Sequence, residues 1–416
     1  MTTRTSLSPR RLGLLAAATA LAAAATALAP AAGADRPGSR EGRDDAALAW
    51  YDVTAETIAE AGAPTQITNN RTWAIAWTAA ARALRDDAAG DPAYDDAALA
   101  GAVHHTLTTL VPERADVLDA ELEAALDRIP DGEAEDAGLA AGRAEAAGLL
   151  AEREGDGLDP ESVNAPFPVP DPAPGVWQPT PPDYGPPQQA GNRDARPFLL
   201  DSADQYRLEP PPAVDSPQHQ ADLAEVREDG AADSTTRTGE QTETAEFWYG
   251  SSLTLYTEPL RVALARSDGP ASERAALVAL FHTALVDTQI ATSDTKYAYL
   301  AWRPVTALRA AGDTDWTPLH VTPSHPDYPS GHGTYAGAAE TVLTELTGPT
   351  TEPFELTSPT APGVTRTYDA WSQLTQDNID ARVWSGIHTR TADEAGVRLG
   401  ADVARHTLRH ADELLG

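Results

Sequence analysis

Seven groups able to handle an oxyanion lie in three short stretches of the C-terminal half. Lys296 and Arg303 bracket Lys-Tyr-Ala-Tyr-Leu-Ala-Trp-Arg-Pro; Ser330, Gly331 and His332 follow in Pro-Ser-Gly-His; Arg382 and His388 bracket Arg-Val-Trp-Ser-Gly-Ile-His. Lys296 is the one lysine among 30 basic residues. A position that keeps lysine against such a bias needs a compact ammonium on a flexible stem, not a planar fork. Ser330 and the amide of Gly331 open a helix, where free N–H groups and the helix dipole favour negative charge. Arg382 adds a fork that grips two oxygens. His332 and His388 have ring nitrogens suited to ligation or proton transfer near neutrality. One would bind a central atom; the other would move a proton at an apical oxygen. Separately each signal is weak, since a Lys/Arg pair is usually a solvated face and a lone histidine usually structural. Together, and in this order, they describe a site for a tetrahedral oxyanion.

Helices must position these groups. Apolar spacing predicts helices over 45–61, 68–87, 94–110, 113–128 and 133–153. A long segment from Ala271 to Trp302 places Lys296 and Arg303 two turns apart on one helix face. Ser330-Gly331-His332 opens a helix through Leu346, and a last one runs from about Thr391 to Leu414. Thr238-Gly-Glu-Gln241 reads as a capping box. Strand signals are sparse, so the fold class is all-α, built of helical bundles. Residues 35–163 form an N-terminal helical half and 218–416 a catalytic helical half. Between them, 164–217 is proline-rich but holds Trp177, Tyr184, Phe198 and Tyr206, which marks an ordered strap rather than a linker.

Residues 1–34 read as an export signal. Arg10-Arg11 precede an Ala/Leu run, and Ala32-Gly33-Ala34 offers a small-x-small cleavage site. The route, Sec or twin-arginine, stays open, and the implied location is outside the cytoplasm. No other stretch is expected to span a membrane. The net charge of −33 should repel nucleic acid and anionic membrane surfaces. Cysteine is absent and Met1 is the single methionine, so the exported chain would carry no sulfur. Selection against oxidation and a plain compositional bias account for this equally well.

The order Lys-x6-Arg-Pro, Pro-Ser-Gly-His, Arg-x5-His resembles the signature of the vanadium-dependent haloperoxidases and the type 2 phosphatidic acid phosphatase superfamily, closest to the soluble bacterial branch. Asn70-Arg71-Thr-Trp73, Trp177-Gln-Pro-Thr-Pro, Ser234-Thr-Thr-Arg-Thr and Trp302-Arg303-Pro304-Val extend the resemblance over most of the mature chain. It implies one vanadate per chain. His388 would bind the vanadium; Lys296, Arg303, Ser330, Gly331 and Arg382 would hold its oxygens; His332 would be the acid–base histidine. The substrates implied are hydrogen peroxide, a halide and a small organic acceptor. By the same resemblance His325, seven residues before His332, stands where halide preference is influenced, and a histidine there resembles bromide-oxidising members more than chloride-oxidising ones. Association into a homo-oligomer is common in the family, and no interface is legible here.

Two positions depart from the superfamily pattern. Ala381 stands where a serine precedes the arginine, and Ala392 where an aspartate follows the histidine by four, with Asp393 one place late. Whether Asp393 or Glu394 takes that aspartate's place is left open. A secreted acid phosphatase acting through a phosphohistidine at His388, without vanadate, is the alternative. A non-catalytic oxyanion-binding protein is the third.

Overall fold

The computed structural model describes residues 45–85 and 90–416, so the export signal expected at 1–34 lies outside the described residues. Local signals become helix close to where they are written. The N-terminal half contributes α1 (Ala46–Ala61), α2 (Gln66–Arg85), α3 (Pro92–Leu110), α4 (Ala115–Leu126), α5 (Glu133–Glu152) and a single turn, α6 (Pro160–Val163). Asp45 and Asp91 cap α1 and α3 through their side chains, satisfying amides that would otherwise have no partner. After the strap come α7 (Pro217–Asp229), α8 (Gly239–Phe247), α9 (Ser252–Ala265), α10 (Ala271–Tyr299), α11 (Pro304–Ala310) and α12 (Gly331–Thr347). The chain ends with α13 (Trp371–Trp384), α14 (Arg390–Arg409) and α15 (Ala411–Leu415). The capping box at α8 is present with both bonds, Thr238 N–H to Gln241 Oε1 and Gln241 N–H to Thr238 Oγ1.

One departure from an all-helical chain is an antiparallel hairpin, β1 (Thr350–Thr357) with β2 (Thr365–Ala370). Pro353 interrupts the alternation in β1, and only Phe354 and Leu356 turn inward. That leaves too short a period-2 signal to read as a strand.

The helix α10 runs through the middle, packed on α2, α12 and α14. It is long and apolar enough to cross a membrane, contrary to expectation, but 89% of that apolar window is buried inside the body. It is a core helix. One apolar core draws on both halves of the chain, from Trp73 and Trp77 of α2 to Tyr335 of α12. The resemblance motif at 70–73 belongs to this scaffold. Asn70 Nδ2 reaches His282 Nδ1 at 3.0 Å, and Arg71 pairs with Asp156 at 2.7 Å.

The strap is ordered, as its aromatics indicate, and it has a specific task. Val176 bridges Ala301; Trp177 N–H donates to Leu300 O, and Trp302 N–H to Gly175 O. It therefore braces the chain between Lys296 and Arg303, with the Trp177 side chain fully buried.

Candidate active site

Lys296 and Arg303 meet by a different route from the one expected. The helix α10 stops at Tyr299; Leu300 takes left-handed geometry (φ 51°, ψ 40°), and Arg303 becomes the residue that caps α11. The two cations share a site because the chain turns, not because they share a helix face.

The remaining parts come from a close helix crossing. α12 and α14 meet through glycines: a Cβ on Gly333 would lie 2.6 Å from Asp393 O, and one on Gly396 2.7 Å from Ser330 O. No side chain fits at either distance. The contact sets the N-terminus of α12, with Ser330, Gly331 and His332, against the N-terminus of α14, just after His388. Ser330 caps α12 by accepting from Gly333 N–H at 3.2 Å.

All seven groups expected in the site converge. Lys296 Nζ donates to the carbonyls of Pro326 and Asp327 at 2.7 and 3.2 Å. Arg303 donates from Nε to His325 O at 2.7 Å, from Nη1 to Ile387 O at 2.7 Å, and from Nη2 to His325 Nδ1 at 3.0 Å. Arg382 donates from Nη1 to Trp248 O at 3.2 Å, while its buried Nε has no partner. Lys296, Arg303, Arg382, Ser330 and His388 are each no more than 1% exposed.

Histidine tautomers follow from their partners. His332 Nε2 lies 2.9 Å from Gly250 O. A carbonyl only accepts, so Nε2 carries the proton and Nδ1 keeps a lone pair. His388 Nδ1 lies 2.6 Å from Asp327 Oδ1 and Nε2 lies 3.1 Å from Arg303 Nη1. Nδ1 donates to the carboxylate, so Nε2 keeps the lone pair; Arg303 Nη1 lies beside both ring nitrogens, at 3.3 Å from Nδ1 and 3.1 Å from Nε2. His325 Nδ1 accepts from Arg303, so the halide-preference candidate is tied to a cation of the same site.

The electrostatics show a site short of negative charge. Burial pushes the guanidinium pKa of Arg303 down to about 10, and likewise that of Arg382. Lys296 is pushed well below the usual ammonium range by burial and by Arg303. Burial also raises the nearby carboxyls: Asp327 goes up to about 6 and Asp393 well above the carboxylate range. Three buried basic side chains thus face two carboxyls, of which Asp327 lies 3.8 Å from Arg303 Nη1. Buried charge of this kind is stable only when paired. His388 is held well below the ordinary histidine value by burial and then by Arg303, Lys296 and Arg382; His332 by burial and then by Arg382, with Lys296 also contributing. The lone lysine and the two imidazoles therefore act on one another in one site.

These features fit an oxyanion such as vanadate. The buried Arg382 Nε lacks an acceptor, three buried basic side chains outnumber the two carboxyls beside them, and a Cβ on Gly331 would meet no atom within 4 Å. Open space therefore stands at a helix N-terminus. A bare cation would find no such welcome: among the described residues no group of three His, Asp or Glu is arranged to hold one.

The open question about Asp393 and Glu394 resolves to neither. Asp393 is buried beside Ser330 and Arg382, and the carboxylate on His388 is that of Asp327. Sequence reasoning missed this residue. Its only signal is its place in His325-Pro-Asp327-Tyr-Pro-Ser330, five residues before His332. The carbonyls of Trp248 and Gly250, which hold Arg382 and His332, have no sequence signal at all.

Residues 276–416 match the family model of the VCPO second helical-bundle domain. Over most of its length the chain is similar to the first bacterial vanadium-dependent iodoperoxidase, with a TM-score of 0.73 and 22% identity, covering 88% of this chain and 95% of that one. It is also similar to a bacterial vanadium-dependent chloroperoxidase. The apo form gives a TM-score of 0.69, 16% identity, and coverage of 85% and 95%. The holo form gives 0.65, 17% identity, and coverage of 92% and 97%. No curated protein sequence matches the chain. The fold is that of the bacterial vanadium haloperoxidases. The stretch matched by the VCPO second-domain model includes all seven of the groups expected in the site.

Proposed function

We propose that this protein is a secreted vanadium-dependent haloperoxidase, which uses hydrogen peroxide to oxidise a halide to hypohalous acid for reaction with a small organic acceptor. The observation that carries the reading is the cluster of three buried cations around two neutral imidazoles at an open helix N-terminus. Lys296, Arg303, Arg382, Ser330 Oγ and the Gly331 amide would hold the vanadate oxygens, and His388 Nε2 would ligate the vanadium. Bound there, vanadate would supply a fully oxidised Lewis-acidic centre. His332, with a free lone pair on Nδ1, would take a proton from incoming peroxide and return it to a leaving oxygen. The resemblance of His325 to the histidine of bromide-oxidising members supports bromide ahead of chloride as the halide. The N-terminal Ala/Leu run after Arg10-Arg11 supports export.

Phosphoryl transfer is the second reading, and a specific observation favours it. The carboxylate partner that the sequence seemed to lack is supplied by Asp327, at 2.6 Å from His388 Nδ1. An oriented imidazole can attack phosphorus as well as ligate vanadium. One experiment separates the two. Purified protein is incubated with vanadate, peroxide, bromide and a brominable dye, and in parallel with a phosphomonoester. Dye bromination that requires vanadate supports the haloperoxidase. Ester hydrolysis blocked by vanadate, without bromination, overturns it.

A further inference from the structure

Asp327 is gripped from every side. Oδ1 accepts from His388 Nδ1 at 2.6 Å, and Oδ2 accepts from the Thr389 hydroxyl at 2.8 Å. Its backbone N–H donates to Ala301 O at 2.9 Å, and its carbonyl accepts from Lys296 Nζ at 3.2 Å. The residue is 3% exposed. With both carboxylate oxygens and both backbone groups bonded, neither the carboxylate nor the ring it holds is free to turn.

We infer that Asp327 is the positioning residue for His388: it keeps the proton on Nδ1 and so presents the Nε2 lone pair to the oxyanion. The inference rests on the reading that this cradle takes vanadate. The position four residues after His388 is Ala392, and Asp393 beyond it faces Ser330 and Arg382. The orienting carboxylate has moved to the loop ahead of α12, five residues before His332. Lys296 reads that same loop through the carbonyls at 326 and 327, so one segment fixes both the ammonium and the imidazole. In the bond formed, Nε2 gives its lone pair to vanadium and no ring proton is lost. Ligating histidines depend on such a carboxylate for orientation and basicity, and its loss typically weakens metal binding ~10–100-fold.

The test compares two oxyanions. Orthovanadate and inorganic phosphate are titrated calorimetrically into the full chain as wild type, Asp327→Ala and Asp327→Asn. Phosphate at equilibrium is held by the cations alone and makes no bond to His388. Asp327→Ala should weaken vanadate by roughly 10–100-fold while phosphate is unchanged or tighter, because a negative charge has left the cradle. Asp327→Asn retains an acceptor for Nδ1–H and should recover most of the vanadate affinity. Imidazole 15N shifts of the ligand-free protein should show His388 protonated on Nδ1 in wild type and Asp327→Asn, and in mixed tautomers in Asp327→Ala. Equal weakening of both oxyanions, or vanadate affinity untouched in Asp327→Ala, overturns the inference. If wild type binds neither oxyanion, the proposed function falls instead. The 15N shifts then decide Asp327 alone, an unchanged tautomer in Asp327→Ala overturning it and a mixed one supporting it.

Discussion

Lys296 is fastened to the loop that precedes α12: its ammonium donates to Pro326 O at 2.7 Å and to Asp327 O at 3.2 Å. Two of its three protons are thereby committed, and one remains for an anion. This explains why a chain that otherwise uses arginine keeps a lysine here. A guanidinium is planar and larger, and cannot place two donors on adjacent carbonyls and a third on a ligand from one compact centre. Lys296→Arg should therefore weaken vanadate binding at least tenfold and lower stability by about 1–3 kcal/mol through overpacking. Calorimetric titration and thermal unfolding measure the two effects. Wild-type affinity in this variant would show that the ammonium is not needed.

The two histidines should separate under substitution. His388→Ala removes the Nε2 ligand while Lys296, Arg303 and Arg382 remain, so vanadate should be lost on dialysis while phosphate still binds. His332→Ala leaves the ligand set intact and removes the proton carrier, so vanadate should be retained. Turnover in that variant should fall by roughly 10²–10⁴-fold, the usual contribution of a positioned acid–base group. Metal analysis after dialysis, with dye-bromination rates, checks both. Tight retention by His388→Ala would disprove the ligand assignment.

How much of this was legible beforehand depends on whether a feature is local. Helices α1 to α5 and α12 follow apolar spacing and caps, and their ends fall within a few residues of the expected ones. The strap's order was legible from its aromatics, although only Trp177 of the four is fully buried, Tyr184 is exposed, and the pairing with Ala301 was not foreseen. Three features escaped because they depend on chain returning from far away. Asp327 pairs with His388 across 61 residues and has no periodic signal. The β1–β2 ribbon covers too little core to alternate for long. The end of α10 at Leu300 is set by neither glycine nor proline, so an unbroken helix to Trp302 was the natural reading. The seven-residue spacing of Lys296 and Arg303 was thus right about convergence and wrong about its cause.

Leu300 is accordingly a hinge point for the site. A leucine in left-handed geometry is disfavoured by about 1–2 kcal/mol, and a β-branched residue fits there still less well. Leu300→Gly should be neutral or stabilising by up to about 1 kcal/mol, offset by the loss of a half-buried side chain. Leu300→Val should be destabilising by about 1–2 kcal/mol. It should also weaken vanadate binding, because the turn that brings Arg303 to Lys296 is disturbed. Denaturant titration and calorimetry on the two variants give the comparison. Equal behaviour of the glycine and valine variants would remove backbone geometry as the cause.

Acid sensitivity should trace in part to His282, far from the oxyanion. Its ring stacks on Trp73 with centroids 4.6 Å apart, accepts from Asn70 through Nδ1, and leaves Nε2 buried without a partner. Burial depresses its pKa from 6.5 to about 3. A lowered histidine pKa means that the unfolded chain binds the proton first, so stability is fully present above pH 6.5 and is lost as pH falls towards 3. Across that window the loss is on the order of 4 kcal/mol. His282→Phe should remove it, flattening the dependence of unfolding free energy on pH between about 6 and 4 by close to one proton relative to wild type. Taking the difference between the two proteins cancels the titration of the many surface carboxylates, which they share. Parallel pH profiles for wild type and His282→Phe would show that this buried imidazole does not govern acid stability.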